Sequence, residues 1–159
     1  MDASLRESLR AELEANRAAF RALLASLADA DLTRPSHNPA WTVKELLHHM
    51  VLSLEYVPQE VKAAQRGRNL MPMPQAIYDF VVILITRLGA FTQNRGSLIR
   101  RYEAAHTVVL QTLAAVRDDE WDQPLQFFYI QTTLEDLFRR QARHLAEHGE
   151  QIREGLEKK

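Results

Sequence analysis

Residues 75–88 read QAIYDFVVILITRL, and the conformation of this stretch decides between an all-α and a mixed fold. Ile77, Tyr78, Phe80, Val81, Val82, Ile83, Leu84, Ile85 and Leu88 leave it almost no polar face. Its β-branched run favours a strand on local grounds, because branched side chains fit a pleated surface. A strand needs a partner, and no other segment supplies one with alternating apolar and polar residues. The stretch therefore reads as a short, heavily buried helix. If the monomer does not bury it, the surplus apolar surface marks a subunit interface.

Upstream, Trp41-Thr42-Val43-Lys44-Glu45 opens a helix, with Thr42 as N-cap and Glu45 completing a capping box. Val43, Leu46, Leu47, Met50, Leu54 and Val57 form its apolar stripe. Pro58 either kinks this helix or starts a new one, since it lacks an amide hydrogen and crowds the preceding turn. Residues 67–74 (GRNLMPMP) break it. Before it, Ser4 and Glu7 have capping-box spacing at the head of a first long helix. That helix carries Leu5, Leu9, Leu13, Phe20, Leu23, Leu24 and Leu27, ends near Asp29 and gives way to a loop over residues 31–40.

Downstream, residues 89–96 are a break and residues 97–116 the third long helix, with Leu98, Tyr102, Ala105, Val109, Leu113 and Val116 inward. Residues 118–124 (DDEWDQP) form a turn. Thr132 and Glu135 then have the spacing to cap a last helix, which carries Leu134, Leu137, Phe138, Leu145, His148 and Ile152 on one side. Four long amphipathic segments without a strand pair specify a four-helix bundle, with an extra short apolar helix between its second and third helices. No internal repeat or low-complexity tract interrupts it. A chain of 159 residues reads as one domain spanning 1–159.

Composition narrows the function classes. A net charge of −1 without a basic stripe argues against nucleic acid as a partner. With no cysteine, disulfides, thiolate metal sites and a cysteine nucleophile are excluded. The N-terminal MDASLRESLRAELEAN is charged and lacks an apolar signal core. The longest strongly apolar run, residues 80–85, is far short of the roughly 20 residues of a membrane span. A cytoplasmic protein with no membrane partner is the expectation.

The chemistry-bearing residues are histidines. Residues 143–152, RHLAEHGEQI, place His144 and His148 four apart on one helix face, where side chains share a neighbourhood. Two imidazoles so placed can reach one metal ion, at Zn–N distances of about 2.0–2.1 Å. Chance alone produces about 0.2 such pairs in a chain of this histidine content, so the pair needs a third ligand, for which His49 is the candidate. His106 could face the same cavity but suits packing better, and His37 lies in a Pro-flanked loop away from the site. Glu45 and Glu147 are candidates to orient the metal-bound imidazoles, as metal-bound histidines usually donate their other N–H. Trp41 reads as a packing anchor. Arg95, Arg100 and Arg101 read as a solvated helix face, with an anionic substrate as the alternative.

Two of these pieces together resemble the DinB/YfiT-like family. Residues 41–50, WTVKELLHHM, are similar to the family's pattern of Trp, Ser/Thr, Val and Glu opening the second helix, with a histidine eight residues after the Trp. Counted from Trp41 that histidine is His49, although the adjoining His48 could substitute. His144, His148 and Gln151-Ile152 resemble the closing signature of two histidines four apart followed by Gln-Ile. Asp118-Asp119-Glu120-Trp121 looks like the acidic turn before the family's last helix. The likeness in layout covers roughly residues 5–156.

The resemblance implies an up-down-down-up bundle in which His49, His144 and His148 hold one divalent metal. Thiol-dependent transferases and a mycothiol-dependent isomerase belong to the family, so a small-molecule substrate and a low-molecular-weight thiol cofactor are implied as well; a homodimer is the expectation from the apolar stretch 75–88 itself. Pro58 and the apolar stretch 75–88 enlarge the middle of the chain, where a pocket or dimer contact would differ. Three histidines leave a fourth position open, as in catalytic zinc sites, for a water or thiol to be activated. Imidazole suits Zn, Ni, Cu and Fe alike, and Zn, Ni or Fe is the expected ion. The expectation is a metal-dependent thiol transferase or hydrolase; the alternative is a non-catalytic ligand-binding or interaction module assembled through residues 75–88.

Overall fold

The computed structural model describes residues 3–68, 73–127 and 130–157. Helix α1 (Ala3–Ser26) is followed by a 3₁₀ turn (Asp29–Thr33), α2 (Val43–Gln65), α3 (Gln75–Phe91) and α4 (Arg95–Ala115). Two short strands, β1 (Pro124–Phe127) and β2 (Ile130–Thr133), lead into α5 (Leu134–Glu157).

Cross-helix pairs set the direction of each helix. Arg6 of α1 donates to Val116 O at the end of α4 (2.7 Å), and Arg17 to Glu103 in its middle (2.7 Å). Arg95 at the start of α4 donates to Leu24 O and Leu27 O at the end of α1, so α1 and α4 are antiparallel. Glu12 pairs with Arg139 and Leu23 lies against Gly149, so α5 runs parallel to α1. Ser53 donates to Gln141 (3.3 Å) and His49 meets His144 (3.1 Å), so α2 and α5 are antiparallel. The order is up-down-down-up for α1, α2, α4 and α5.

The bundle helices α2 and α4 are therefore parallel, and the chain must recross the molecule between them. Helix α3, 17 residues and about 26 Å long, makes that return. The expected extra helix is thus required by the topology. Its burial is not as expected: only Thr86 and Ala90 are buried, while Ile77, Phe80, Leu84, Leu88 and Phe91 stay exposed, Phe91 by 85%. The four bundle helices already close the core, so α3 lies outside it and can bury one side only.

The core joins α1, α2, α4 and α5 through Phe20, Leu46, Leu98, Leu113, Phe138 and Ile152, all essentially inaccessible. Phe20 stacks on Tyr102 with centroids 4.0 Å apart. Local signals hold at α2, where Thr42 accepts from Glu45 N and Glu45 accepts from Thr42 N, and the helix runs unbroken through Pro58. They differ elsewhere. Helix α1 is already running at Ala3, so Ser4 is not its cap. At α5 the hydroxyl of Thr133 rather than Thr132 accepts from Asp136 N (3.2 Å).

Thr132 lies instead in a strand. β1 and β2 pair antiparallel, from Pro124 opposite Thr133 to Phe127 opposite Ile130, a hairpin that the sequence reading did not contain. Two strands of four residues are too short for a clear alternation to register, and their stability comes from docking on the bundle, where Leu125 is buried.

Candidate metal centre

The capping box fixes where α2 begins, and the packing of its apolar stripe decides which face turns inward at His49. Trp41, just ahead of the cap, stacks on the His49 ring at 4.5 Å and meets His148 edge-on at 6.1 Å. It is both a packing anchor and a wall of the site. The loop holding it lies across α5: His37 N donates to Gln151 O (2.8 Å), and a side chain at Gly155 would strike the backbone of Ser36 and His37 at 2.6 Å. Glycine there lets the loop approach.

His49 from α2 and His144 and His148 from α5 come together, with one ligand nitrogen of each within 4.8 Å of the others. His144 Nε2 is 3.1 Å from both His49 Nε2 and His148 Nε2. A ring nitrogen carries either one hydrogen or one lone pair in its plane, so it cannot bond well to two others at once. His148 Nδ1–H donates to Gln151 Oε1 (2.8 Å), which leaves the lone pair of its Nε2 turned toward the cluster. A cation receiving all three lone pairs removes the conflict. Tetrahedral zinc with bonds of about 2.0–2.1 Å sets its ligand nitrogens roughly 3.3 Å apart, close to the 3.1 Å that separates His144 from each of the other two. The residues present fit a divalent metal.

Electrostatics favour the neutral, ligating form. Burial lowers the pKa of His49 to about 3, aided by repulsion from His148, Arg140 and His48. Burial also holds His144 well below its ordinary value, with His49 and His148 adding to the shift. His148 is lowered by burial as well, though the Gln151 bond opposes it.

The other candidates separate clearly. His48, the candidate substitute for His49, is buried under α3. Its Nδ1 bonds Thr86 O at 3.0 Å, and Gly89 lies so close that a Cβ there would sit 2.3 Å from His48 Cε1. It is outside the cluster. His106 packs between α4 and α1, 3.9 Å from Glu14, and His37 is exposed beside Glu154. Glu45 is occupied as the cap and Glu147 is exposed; the imidazole is oriented by Gln151 instead, one turn beyond His148. Arg95 ties down the end of α1 and Arg101 pairs with Glu55 (2.7 Å).

Two residues near the site were not singled out from the sequence. Arg140, one turn before His144, borders three hollows that meet at the cluster. One is a cleft of about 380 Å³ against Trp41, His49 and His148. Another, about 260 Å³, lies between Asp136, Arg143 and His144. The third is a narrow cavity of about 70 Å³ that reaches Glu60. The i−4 spacing from His144 was a signal for Arg140; nothing local marked Glu60.

The fold and the cluster together define an up-down-down-up helical bundle with a three-histidine centre. The chain belongs to the DinB superfamily, which it matches over residues 12–152. No curated protein matches it in sequence. Among solved structures it is similar to YfiT from Bacillus subtilis, described as a probable metal-dependent hydrolase with an unusual four-helix bundle topology. The TM-score is 0.75 at 15% identity, covering 98% of this chain and 87% of YfiT. It is also similar to the mycothiol-dependent maleylpyruvate isomerase, with a TM-score of 0.74 at 13% identity over 92% of this chain. This chain spans only 60% of the isomerase's length. At these identities the likeness is one of fold. Among the described residues no helix is long and apolar enough to cross a membrane.

Proposed function

We propose that the protein is a divalent-metal-dependent enzyme of the thiol-dependent S-transferase or hydrolase type, with His49, His144 and His148 as the metal's protein ligands. The observation that carries this reading is the meeting of three imidazole Nε2 atoms that cannot satisfy one another by hydrogen bonding. When bound, Zn, Ni or Fe supplies a Lewis acid with an open position, able to activate a water or a low-molecular-weight thiol.

The chain's own residues do the rest. Gln151 holds His148 in the tautomer that faces the cluster, and Trp41 limits how far the His49 ring can turn. The guanidinium of Arg140, bordering all three hollows, draws the anionic part of a small substrate toward the histidines. The cleft of about 380 Å³ has the size of a small-molecule site. The descriptions of YfiT and of the isomerase support metal-dependent and thiol-dependent chemistry respectively.

Elemental analysis of untagged protein purified without chelators, beside the His144→Ala/His148→Ala variant, tests the centre. About one equivalent of Zn, Ni or Fe in the parent and none in the variant is expected. A parent that stays empty and takes up no added metal would overturn it.

A second reading has its own observation. The apolar stripe of Ile77, Phe80, Leu84, Leu88 and Phe91 on α3 favours a homodimer closed through this helix, and with it an interaction module. Light scattering on the native protein checks the assembly, and a strict monomer at micromolar concentration counts against it.

A further inference from the structure

Helix α2 presents His49, Ser53, Tyr56 and Glu60 along one stripe, at intervals of four, three and four residues, and all four border the narrow cavity under α3. At 1.5 Å per residue, the stripe runs about 16 Å from the histidine cluster to Glu60. Val82 and Ile85 of α3 roof the cavity, and Arg140 and His144 of α5 flank it. Its volume of about 70 Å³ is several times the roughly 10–15 Å³ that one water needs.

Glu60 is out of place by ordinary rules. A glutamate 6% exposed normally pairs with a cation or accepts several hydrogen bonds, yet its Oε2 has no partner among the described residues. Burial raises its pKa to about 8, and the charge of Arg140 only partly offsets this. The titratable groups bordering the same cavity are His49 and Tyr56 from α2, Tyr78 from α3, and His144 and Arg140 from α5. At neutral pH Glu60 is therefore a carboxylic acid, which can donate a hydrogen bond as a carboxylate cannot.

We propose that this cavity is a binding subsite for a slim ligand with an uncharged carbonyl head, an amide or similar group, which accepts a hydrogen bond from the Glu60 carboxyl while the rest of the ligand extends toward the histidine cluster. A cationic head would be repelled by Arg140. An anionic head, which Arg140 would draw, would still have to give up its hydration beside a carboxyl that burial itself keeps neutral. The amide carries no desolvated charge and gives the orphaned group its partner. This subsite rests on the proposed function only for the direction in which the ligand points, so it can be tested on metal-stripped protein.

The test is a titration of chelator-treated protein with pentanamide, pentanoate and pentylammonium, followed by backbone amide chemical shifts, in the wild type, Glu60→Leu and Glu60→Gln. Pentanamide should bind tightest and move the resonances of Ser53, Tyr56 and Val82. Its affinity should fall at least fivefold in Glu60→Leu, survive within about threefold in Glu60→Gln, and drop about tenfold in the wild type between pH 7 and pH 9 as the carboxyl ionises. In Glu60→Gln, which has no proton to lose, affinity should stay flat over that range; this arm holds even if Glu60→Leu does not fold. Unperturbed resonances, equal affinity in Glu60→Leu, or tighter binding of pentylammonium would each overturn the subsite. Because no metal is present, such a failure leaves the metal centre untouched, and a chain that proved metal-free could still bind pentanamide.

Discussion

Replacing Glu60 by Gln should change how stability depends on pH, by an amount the burial of this side chain sets. The unfolded chain releases the Glu60 proton near pH 4.5, whereas the folded chain holds it to about pH 8. Between those values the folded state binds the extra proton, so stability falls as pH rises. The contribution is fully present below pH 4.5 and fully lost above pH 8. Each pH unit in the window is worth about 1.4 kcal/mol, which gives about 3 kcal/mol at pH 7 and nearly 5 kcal/mol at the plateau. Glutamine keeps the size and the hydrogen-bonding capacity of the neutral acid but has no proton to lose. The variant should therefore match the wild type at pH 4.5 and exceed it by about 3 kcal/mol at pH 7. Urea denaturation of both metal-stripped proteins at five pH values reads this directly, since shared titrations cancel in the difference. Parallel stability curves, with a difference that changes by less than about 1 kcal/mol from pH 5 to pH 8, would refute the assignment of a buried, unpaired carboxyl.

Removing one ligand, in His148→Ala, should abolish stoichiometric metal binding while the far-ultraviolet circular dichroism stays helical; full metal content in this variant would falsify its role. Gln151→Leu should weaken metal affinity by about 10–100-fold, read by competition with a chromogenic chelator, because it leaves His148 without the acceptor that fixes its tautomer. Gly89→Ala pits a helix-propensity gain of about 1 kcal/mol against a Cβ placed 2.3 Å from the His48 ring. The overpacking should win by about 1–2 kcal/mol in urea denaturation, and a variant as stable as the parent sinks the argument. Leu84→Glu, which puts a charge in the middle of the exposed stripe on α3, should turn a dimer into a monomer in light scattering without lowering the metal content.

The bundle was legible in the chain because its causes are local. A 3.6-residue period over four long segments and the Thr42–Glu45 cap are readable residue by residue, and the turn Asp118-Asp119-Glu120-Trp121 is where the sequence puts it. The metal candidates were legible for a related reason: His144 and His148 share a face by helical spacing alone. Bringing His49 to them is different, because His49 and His144 lie 95 residues apart in the chain and meet only when the bundle closes. The resemblance supplied that pairing in advance, and the antiparallel packing of α2 on α5 gives it physical form.

What only the tertiary structure decided follows from contacts that no single segment encodes. Residues 75–88 are helical because no long strand among the described residues pairs with them, yet their exposure was settled by the bundle's closing without them. His48 and His49 are adjacent in sequence and about 100° apart on the helix, so packing sends one beneath α3 and the other into the cluster. Glu60 is an ordinary glutamate on an amphipathic helix until α3 and α5 enclose it. Composition and periodicity determine which helices form; the enclosure of a side chain, and with it the side chain's charge, is a property of the assembled molecule.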